Sequence, residues 1–410
     1  MILDSLKKIY YTNPNEHQKI YTERFNAPYT RHFDINIKEI NREVSHPLFF
    51  YYTDETISLM ESIFIANSKL EVYLRTLPKD IVDQYMRYSI ILEILATNRI
   101  EGVFSTRKEI SETMRHQLND ASPKRFLSVI NKYRSIEARE QISFDKSEDI
   151  RTFYNEFLLD EIINADPGNT PDGEIFRKKG VVVGDPKAIH EGLLPESTII
   201  TTMNKALNII NDNRTPALIN IAIFHYLFGY IHPFYDGNGR TSRFITSYYI
   251  ARILSPLAGL RLSITIKKRR SRYYKMFKDT TSVNNFGDIT PFVINFLEFI
   301  YESITDIEQY LKKKMDSFNK FKSSLHQVLQ ELNITDELTI KIYDILLRSV
   351  LFNNEGCTID DIVKETKKSR NTIDDRLKKI PLHHIIKDPS TKQYTYRLNS
   401  ALLKNKDLLE

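Results

Sequence analysis

IHPFYDGNGRTSR, residues 231–243, gathers one histidine, one aspartate, one asparagine and two arginines into thirteen positions, with two of the chain's 12 glycines. Its neighbours read as helices. Upstream, NRTPALINIAIFHYLFGYI sets Leu218, Ile221, Phe224, Leu227 and Phe228 at three- and four-residue spacing, the period of a helix buried on a broad face. Thr215 suits its cap and Pro216 its first position. Downstream, TSRFITSYYIARIL is helical again. The stretch is therefore a polar loop that runs into a helix N-terminus.

That context predicts an anion site. Gly237 and Gly239 flank Asn238 and let successive backbone N–H groups turn toward one point, and the helix that follows adds its positive end. Arg240 and Arg243 are three apart, so both reach the same side, and two guanidinium groups over such a nest suit a polyphosphate. Asp236, one residue before the nest, is a candidate Mg²⁺ ligand. His232 is a candidate general base. Two familiar phosphate loops do not fit. GxxxxGK[ST] is missing, and GxGxxG would need a glycine where Ser242 stands, after a strand rather than a helix.

At 410 residues the chain predicts two or three domains. Hydrophobic residues at 41% and charged residues at 27% describe a globular protein rather than a disordered one. The lone Cys357 excludes an internal disulfide. No signal-like segment opens the sequence and no run approaches a membrane span, so no membrane partner and a cytoplasmic home are expected. A net charge of +5 permits polyanion partners without demanding them.

The expected fold is mainly α, with four regions. Residues 1–115 form a helical N-terminal region, partly irregular up to about residue 55, that ends in a helix over about 79–102 opened by Pro78 and closed by Gly102. Residues 116–305 form the core. Within it DPGNTPDGE, 166–174, is a loop, and FRKKGVVVGDPKAIHEGLLPE reads as a short β-hairpin flap in which Val181, Val182 and Val183 supply strand propensity and Gly184-Asp185-Pro186 the turn. Residues 306–334 form a linker helix. Residues 335–410 read as a winged helix-turn-helix, with a polar turn near Lys367 to Ser369 and a wing around Asp388-Pro389-Ser390.

HPFYDGNGRTSR resembles the Fic (filamentation induced by cAMP) family motif HPFx(D/E)GNGRxxR at every defined position. Other stretches follow in the family's order: FRKKGVVVGD resembles its flap, RSRYYKMF (270–277) its adenine-side segment and FGDITPFVINFL (286–297) the start of its last core helix. The winged tail is similar to that of many bacterial Fic proteins. The resemblance covers roughly residues 80–305 and implies a Fic-type helical core. It also implies AMP transfer from ATP to a Ser, Thr or Tyr hydroxyl of a target protein, with self-modification and a homodimer among the expectations. His232 falls at the base, Asp236 at the Mg²⁺ ligand, and the Gly237-Asn238-Gly239 backbone and Asn238 side chain at the phosphate cradle. Arg240 and Arg243 fall at the β- and γ-phosphates, Tyr274 and less directly Tyr273 beside the adenine, and Asn285 at an adenine hydrogen bond. Val181, Val182 and Val183 fall at the edge that docks the target. Gly239 separates this pattern from Doc-like relatives, which carry HPFxxGNKR and phosphorylate instead. TNRIEG, 97–102, resembles the inhibitory motif (S/T)xxxE(G/N), placed before the core. The resemblance implies that Thr97 and Glu101 share a helix face and that Glu101 pairs with Arg243, competing with the γ-phosphate.

Other features have plainer readings. His225 is expected to be structural, and His190, His383 and His384 to be flap or wing residues rather than metal ligands. IKKRRSRYYK, 266–275, fits a solvated helix face as well as a nucleic-acid patch. From 335 to 400 there are 12 Lys and Arg against 10 Asp and Glu, and Asp374 and Asp375 sit on the presumed recognition helix, so DNA and protein docking stay equally open. Two other functions fit the same residues: a DNA-binding regulator whose core senses nucleotide, and an enzyme of this fold with another donor or with de-AMPylation activity.

Overall fold

The computed structural model describes residues 3–116, 125–184, 190–352, 356–388 and 394–402. They divide into two compact units, one of residues 1–71 and 90–305, the other of residues 72–89 and 306–410. The chain is mainly helical, and its strands form three two-stranded antiparallel sheets among the described residues.

The first unit is built around the helix Ala217–Ile231. Its apolar residues run nearly all round, so it is buried nearly all round, from Leu218 to Ile231 with Gly229 excepted. The helix begins one residue later than the sequence suggests. Pro216 itself takes the cap position with ψ 128, and Asn220 Nδ2 bonds to the carbonyls of Asp212 and Thr215 in place of a side-chain cap. The helices Glu196–Ile210 and Asn238–Ile253 both pack against it. Residues 147–165 add a helix whose ladder loosens to a π segment at Asn155–Leu159.

The N-terminal residues are more ordered than expected. Helices Leu6–Thr12 and Pro14–Asn26 precede a hairpin of Thr30–Lys38 and Ser45–Tyr51. Phe33, Ile35 and Ile37 alternate inward along the first strand, a period-two signal legible in RHFDINIK. Leu6, Ile9 and Phe49 form a cluster joined by Tyr21, Phe25 and Phe286. The hairpin is pinned to the loop at 287–289: Phe49 N donates to Gly287 O and Ile289 N to Phe49 O. Gly287 has φ +79, and a Cβ there would collide with the Pro47 carbonyl, so only glycine permits this approach. Arg24 and Asp288, both buried, pair at 2.9 Å.

The helix expected over about 79–102 is observed as Lys79–Ile100, with Gly102 at φ +74 just beyond it. Ile90, Ile91, Ile94 and Ile100 enter the core of the first unit. The last core helix and the linker helix are one element, Thr290–Glu331, because nothing after Pro291 breaks the pattern. In the second unit Ile307, Leu311, Phe318, Phe321, Leu325 and Leu329 are buried along one seam of this helix at three-, four- and seven-residue steps.

The second unit ends in helices Glu337–Phe352, Ile359–Thr366 and Arg370–Lys379, followed by strands Ile385–Asp388 and Thr395–Leu398. Thr358 and Asp361 form a capping box, Lys367 turns the chain at φ 57, and Ser369 caps the next helix. His384 is buried against the Tyr343 hydroxyl at 2.6 Å. The expected wing turn beyond Asp388 lies outside the described residues, as do Asp185 and Pro186 of the flap.

Candidate active site

The stretch 231–243 folds as its composition requires. His232 ends the helix Ala217–Ile231 in a left-handed conformation, φ 52 and ψ 62. Phe234 is fully buried and stacks on Tyr154 at 3.7 Å. Gly237 has φ +79, and a Cβ there would press on Ile162 and Leu158. The helix Asn238–Ile253 starts directly after it, so the N-terminal N–H groups of a four-turn helix face the loop.

His232 is only partly open, and its surroundings oppose a charge. Burial pushes its pKa down to about 4, with His190 and Arg177 adding to the shift, while a hydrogen bond with the Gly229 backbone and the charge of Glu101 act the other way. The imidazole is therefore neutral near pH 7. One ring nitrogen is engaged by the Gly229 backbone.

The two arginines are buried, and each holds a carboxylate. Arg243 Nη2 donates to Glu101 Oε1 at 2.7 Å, and its Nε donates to Thr97 Oγ1 at 2.8 Å. Burial alone would lower the Arg243 pKa, but Glu101, Tyr273 and Tyr133 outweigh it and hold it above its ordinary value. Glu101 also lies against the cradle, because a Cβ on Gly239 would collide with its carboxylate. Arg240 Nη1 donates to Glu161 Oε1 at 2.6 Å, with Asp236 Oδ2 at 3.7 Å from Nη2. Asp236 is the more open carboxylate. Its Oδ1 accepts from Gly237 N at 2.5 Å, and its remaining lone pairs face no hydrogen-bond donor among the described residues apart from that distant guanidinium. An oxygen donor so placed suits Mg²⁺.

Behind Arg243 lies a buried polar network. His225 bonds to the Tyr273 hydroxyl at 2.7 Å and to Thr246 Oγ1 at 2.8 Å. Its pKa is pushed down to about 3, by burial first and Arg243 second. Glu93, fully buried, accepts from Ser263 N at 2.8 Å, and burial raises its pKa to about 7.

Several expected ligand residues have other duties. The Asn238 side chain is spent on the loop itself, accepting from Phe234 N at 2.9 Å and donating to Phe234 O at 2.7 Å, so only its backbone is free for the cradle. Asn285 is buried, and its Nδ2 closes the loop onto the carbonyls of Thr280 and Asp288. It lines a cavity with Leu3, Ser5 and Arg272 that no residue of the 231–243 stretch enters. Tyr274 is 37% exposed with the Arg270 guanidinium 5.5 Å from its ring centre, whereas Tyr273 is buried. In the flap, Val182–Val183 pairs with His190–Glu191 and Val182 is exposed, while Val181 O accepts from Gly192 N.

Sequence reasoning missed three contributors: Glu161, Glu93 and Arg177. Arg177 is fully buried and bonds through its guanidinium to the carbonyls of His232, Lys179 and Leu193. It was legible only as one of the basic residues of FRKKG, with nothing local to set it apart from Lys178 and Lys179.

Residues 144–250 match the Fic/DOC family model. Protein adenylyltransferase Fic of Drosophila melanogaster is 34% identical over 122 residues, 30% of this chain and 23% of that protein. The Drosophila mojavensis protein of the same name is 35% identical over 122 residues, 30% of this chain and 22% of that one. The chain thus spans under a quarter of the length of these curated relatives. A solved Fic family protein from Desulfovibrio desulfuricans G20 covers 85% of this chain and 96% of its own, with a TM-score of 0.49 and 18% identity. The family match takes in the whole of 231–243, while Thr97 and Glu101 lie before the matched span.

Proposed function

We propose that the domain transfers AMP from ATP to a hydroxyl group of a protein, and that Glu101 holds the site closed. One observation carries the reading: a carboxylate from a distant helix end already sits between the buried Arg243 and Gly239 at a helix N-terminus. A site that captures one anion through a guanidinium and N-terminal N–H groups is built for another, and a nucleotide's terminal phosphate competes for the same guanidinium.

In the reaction the target oxygen attacks the α-phosphorus. The new P–O bond forms as the bridge to the β-phosphate breaks, pyrophosphate leaves with the electron pair, and the hydroxyl proton passes to the free ring nitrogen of His232. The backbone N–H groups at 237–239 and the two arginines stabilise the charge that develops on the phosphates. Asp236 would hold Mg²⁺, which supplies charge neutralisation on the phosphates. The flap strand Val182–Val183, paired on one edge only among the described residues, offers its other edge to an extended target segment. In the winged region Arg370 pairs with Asp360, Arg376 with Asp336 and Lys378 with Asp374, which weakens the case for DNA as the partner.

The test compares wild type with Glu101→Gly for incorporation of label from [α-³²P]ATP with Mg²⁺, into the chain itself and into added lysate proteins. The variant is expected to label far more strongly. Equal labelling overturns the inhibitory reading, and no labelling in either form overturns AMP transfer.

A further inference from the structure

We infer that Arg177 is a positioning residue for His232, locking the base and the flap into one body; this rests on the transfer reading above. Three consecutive carbonyls around the base are held by the two ends of the flap. Ile231 O accepts from Leu193 N at 3.1 Å, His232 O from Arg177 Nε at 2.9 Å, and Pro233 O from Arg177 N at 3.3 Å. The rest of the guanidinium closes the flap on itself, with Nη1 donating to Lys179 O at 2.6 Å and Nη2 to Leu193 O at 3.1 Å.

The chemistry of this arrangement is specific. Arg177 is fully buried, and each hydrogen bond of its guanidinium goes to a backbone carbonyl. A buried cation is expensive, and a planar fork of five N–H groups is the side chain that can serve three carbonyls on three sides. What it secures is a strained residue. His232 is held at φ 52, a conformation that a non-glycine residue keeps only when its surroundings impose it. Gly192 completes the fit. The space its missing Cβ leaves is taken by the Arg177 Nη2 group and the His232 Cβ, so a side chain at 192 would drive into both. The electrostatics run the same way. Burial first, then His190 from the flap, and then Arg177 hold the imidazole neutral, against the Gly229 backbone bond and Glu101 from beyond the end of the helix Lys79–Ile100.

The experiment uses the full chain in the Glu101→Gly background and follows self-labelling from [α-³²P]ATP across pH, with ATP-binding stoichiometry measured by calorimetry on each variant. Arg177→Gln is expected to keep its ATP stoichiometry and half-saturating ATP concentration. Its saturated rate should fall by roughly 10- to 100-fold, the range a misplaced catalytic group produces. Its acid limb should move to higher pH, since a neighbouring positive charge is gone. Arg177→Lys keeps the charge but not the fork, so the rate falls and the acid limb stays. Gly192→Ala keeps Arg177 but displaces its head, and reproduces the rate loss without the shift. Saturated rates within twofold of the background overturn the inference, as does a rate loss in Arg177→Gln that merely tracks lost stoichiometry with an unmoved acid limb. If the Glu101→Gly background itself takes no label, the transfer reading fails, and this inference with it.

Discussion

Replacing Glu101 by Gln keeps the shape of the side chain and removes its charge, so it isolates the ion pair with Arg243. The Arg243 side chain is 1% exposed and that of Glu101 27%. Water therefore reaches one partner only, and the loss falls on the buried one. Removing one member of a fully buried pair costs about 3–5 kcal/mol; with Glu101 partly wet and Thr97 still accepting from Nε, about 2–3 kcal/mol is expected. That is a fall in Tm of roughly 3–5 °C for a unit of this size. The deficit should be reversible by ligand. ATP brings an anion to the uncompensated guanidinium, and at a hundred times its Kd it returns about 2.7 kcal/mol. In the wild type ATP must first displace Glu101, so its affinity should be lower by about 5- to 30-fold, the size of a 1–2 kcal/mol coupling. The assay is thermal unfolding with and without Mg·ATP, with calorimetry for affinity. A variant whose Tm without nucleotide matches wild type, and whose ATP-induced rise is no larger, refutes the reasoning. Glu101 would then be a surface residue whose pair contributes little.

Three further outcomes are expected. His232→Ala should abolish label transfer while calorimetric ATP binding stays within a few-fold of its parent; retained transfer sinks the base assignment. Asp288→Ala should destabilise the protein by about 3–5 kcal/mol in denaturant unfolding, because it strands the buried Arg24 and removes the bond from Thr290 N. Acid should weaken the fold below about pH 6.5. Buried His225 and half-buried His232, at about 3 and about 4, bind fewer protons folded than unfolded, so stability falls as pH drops, by up to about 2 kcal/mol each at pH 5. Glu93, raised to about 7, acts with the opposite sign, binding its proton in the folded state between about 4.5 and 7. Glu93→Gln should therefore steepen the acid loss; an unchanged slope in denaturation series between pH 7 and 5 would show that Glu93 does not titrate there.

The sequence by itself determined what consecutive residues can do. Two glycines around Asn238, a helix N-terminus and two arginines three apart suit an anion through local geometry alone. Pro78 and Gly102 bracket a helix for equally local reasons, and Phe33, Ile35 and Ile37 carried a strand signal that was present to be read. Partnership was another matter. Arg243 meets Glu101 across 142 positions, Arg240 meets Glu161 across 79, and His232 meets Arg177 across 55. No spacing rule reaches that far, and only a family resemblance pointed to the first of the three. Nor could a sequence show that the Asn238 side chain turns back onto Phe234, or that Asn285 closes its own loop, since an amide bonds with whatever packing brings to it. Charge and hydrogen-bonding capacity are written residue by residue. Which charge is neutralised, by whom, and whether the nest is open or filled, depends on burial and through-space contact, which exist only once the helices have packed.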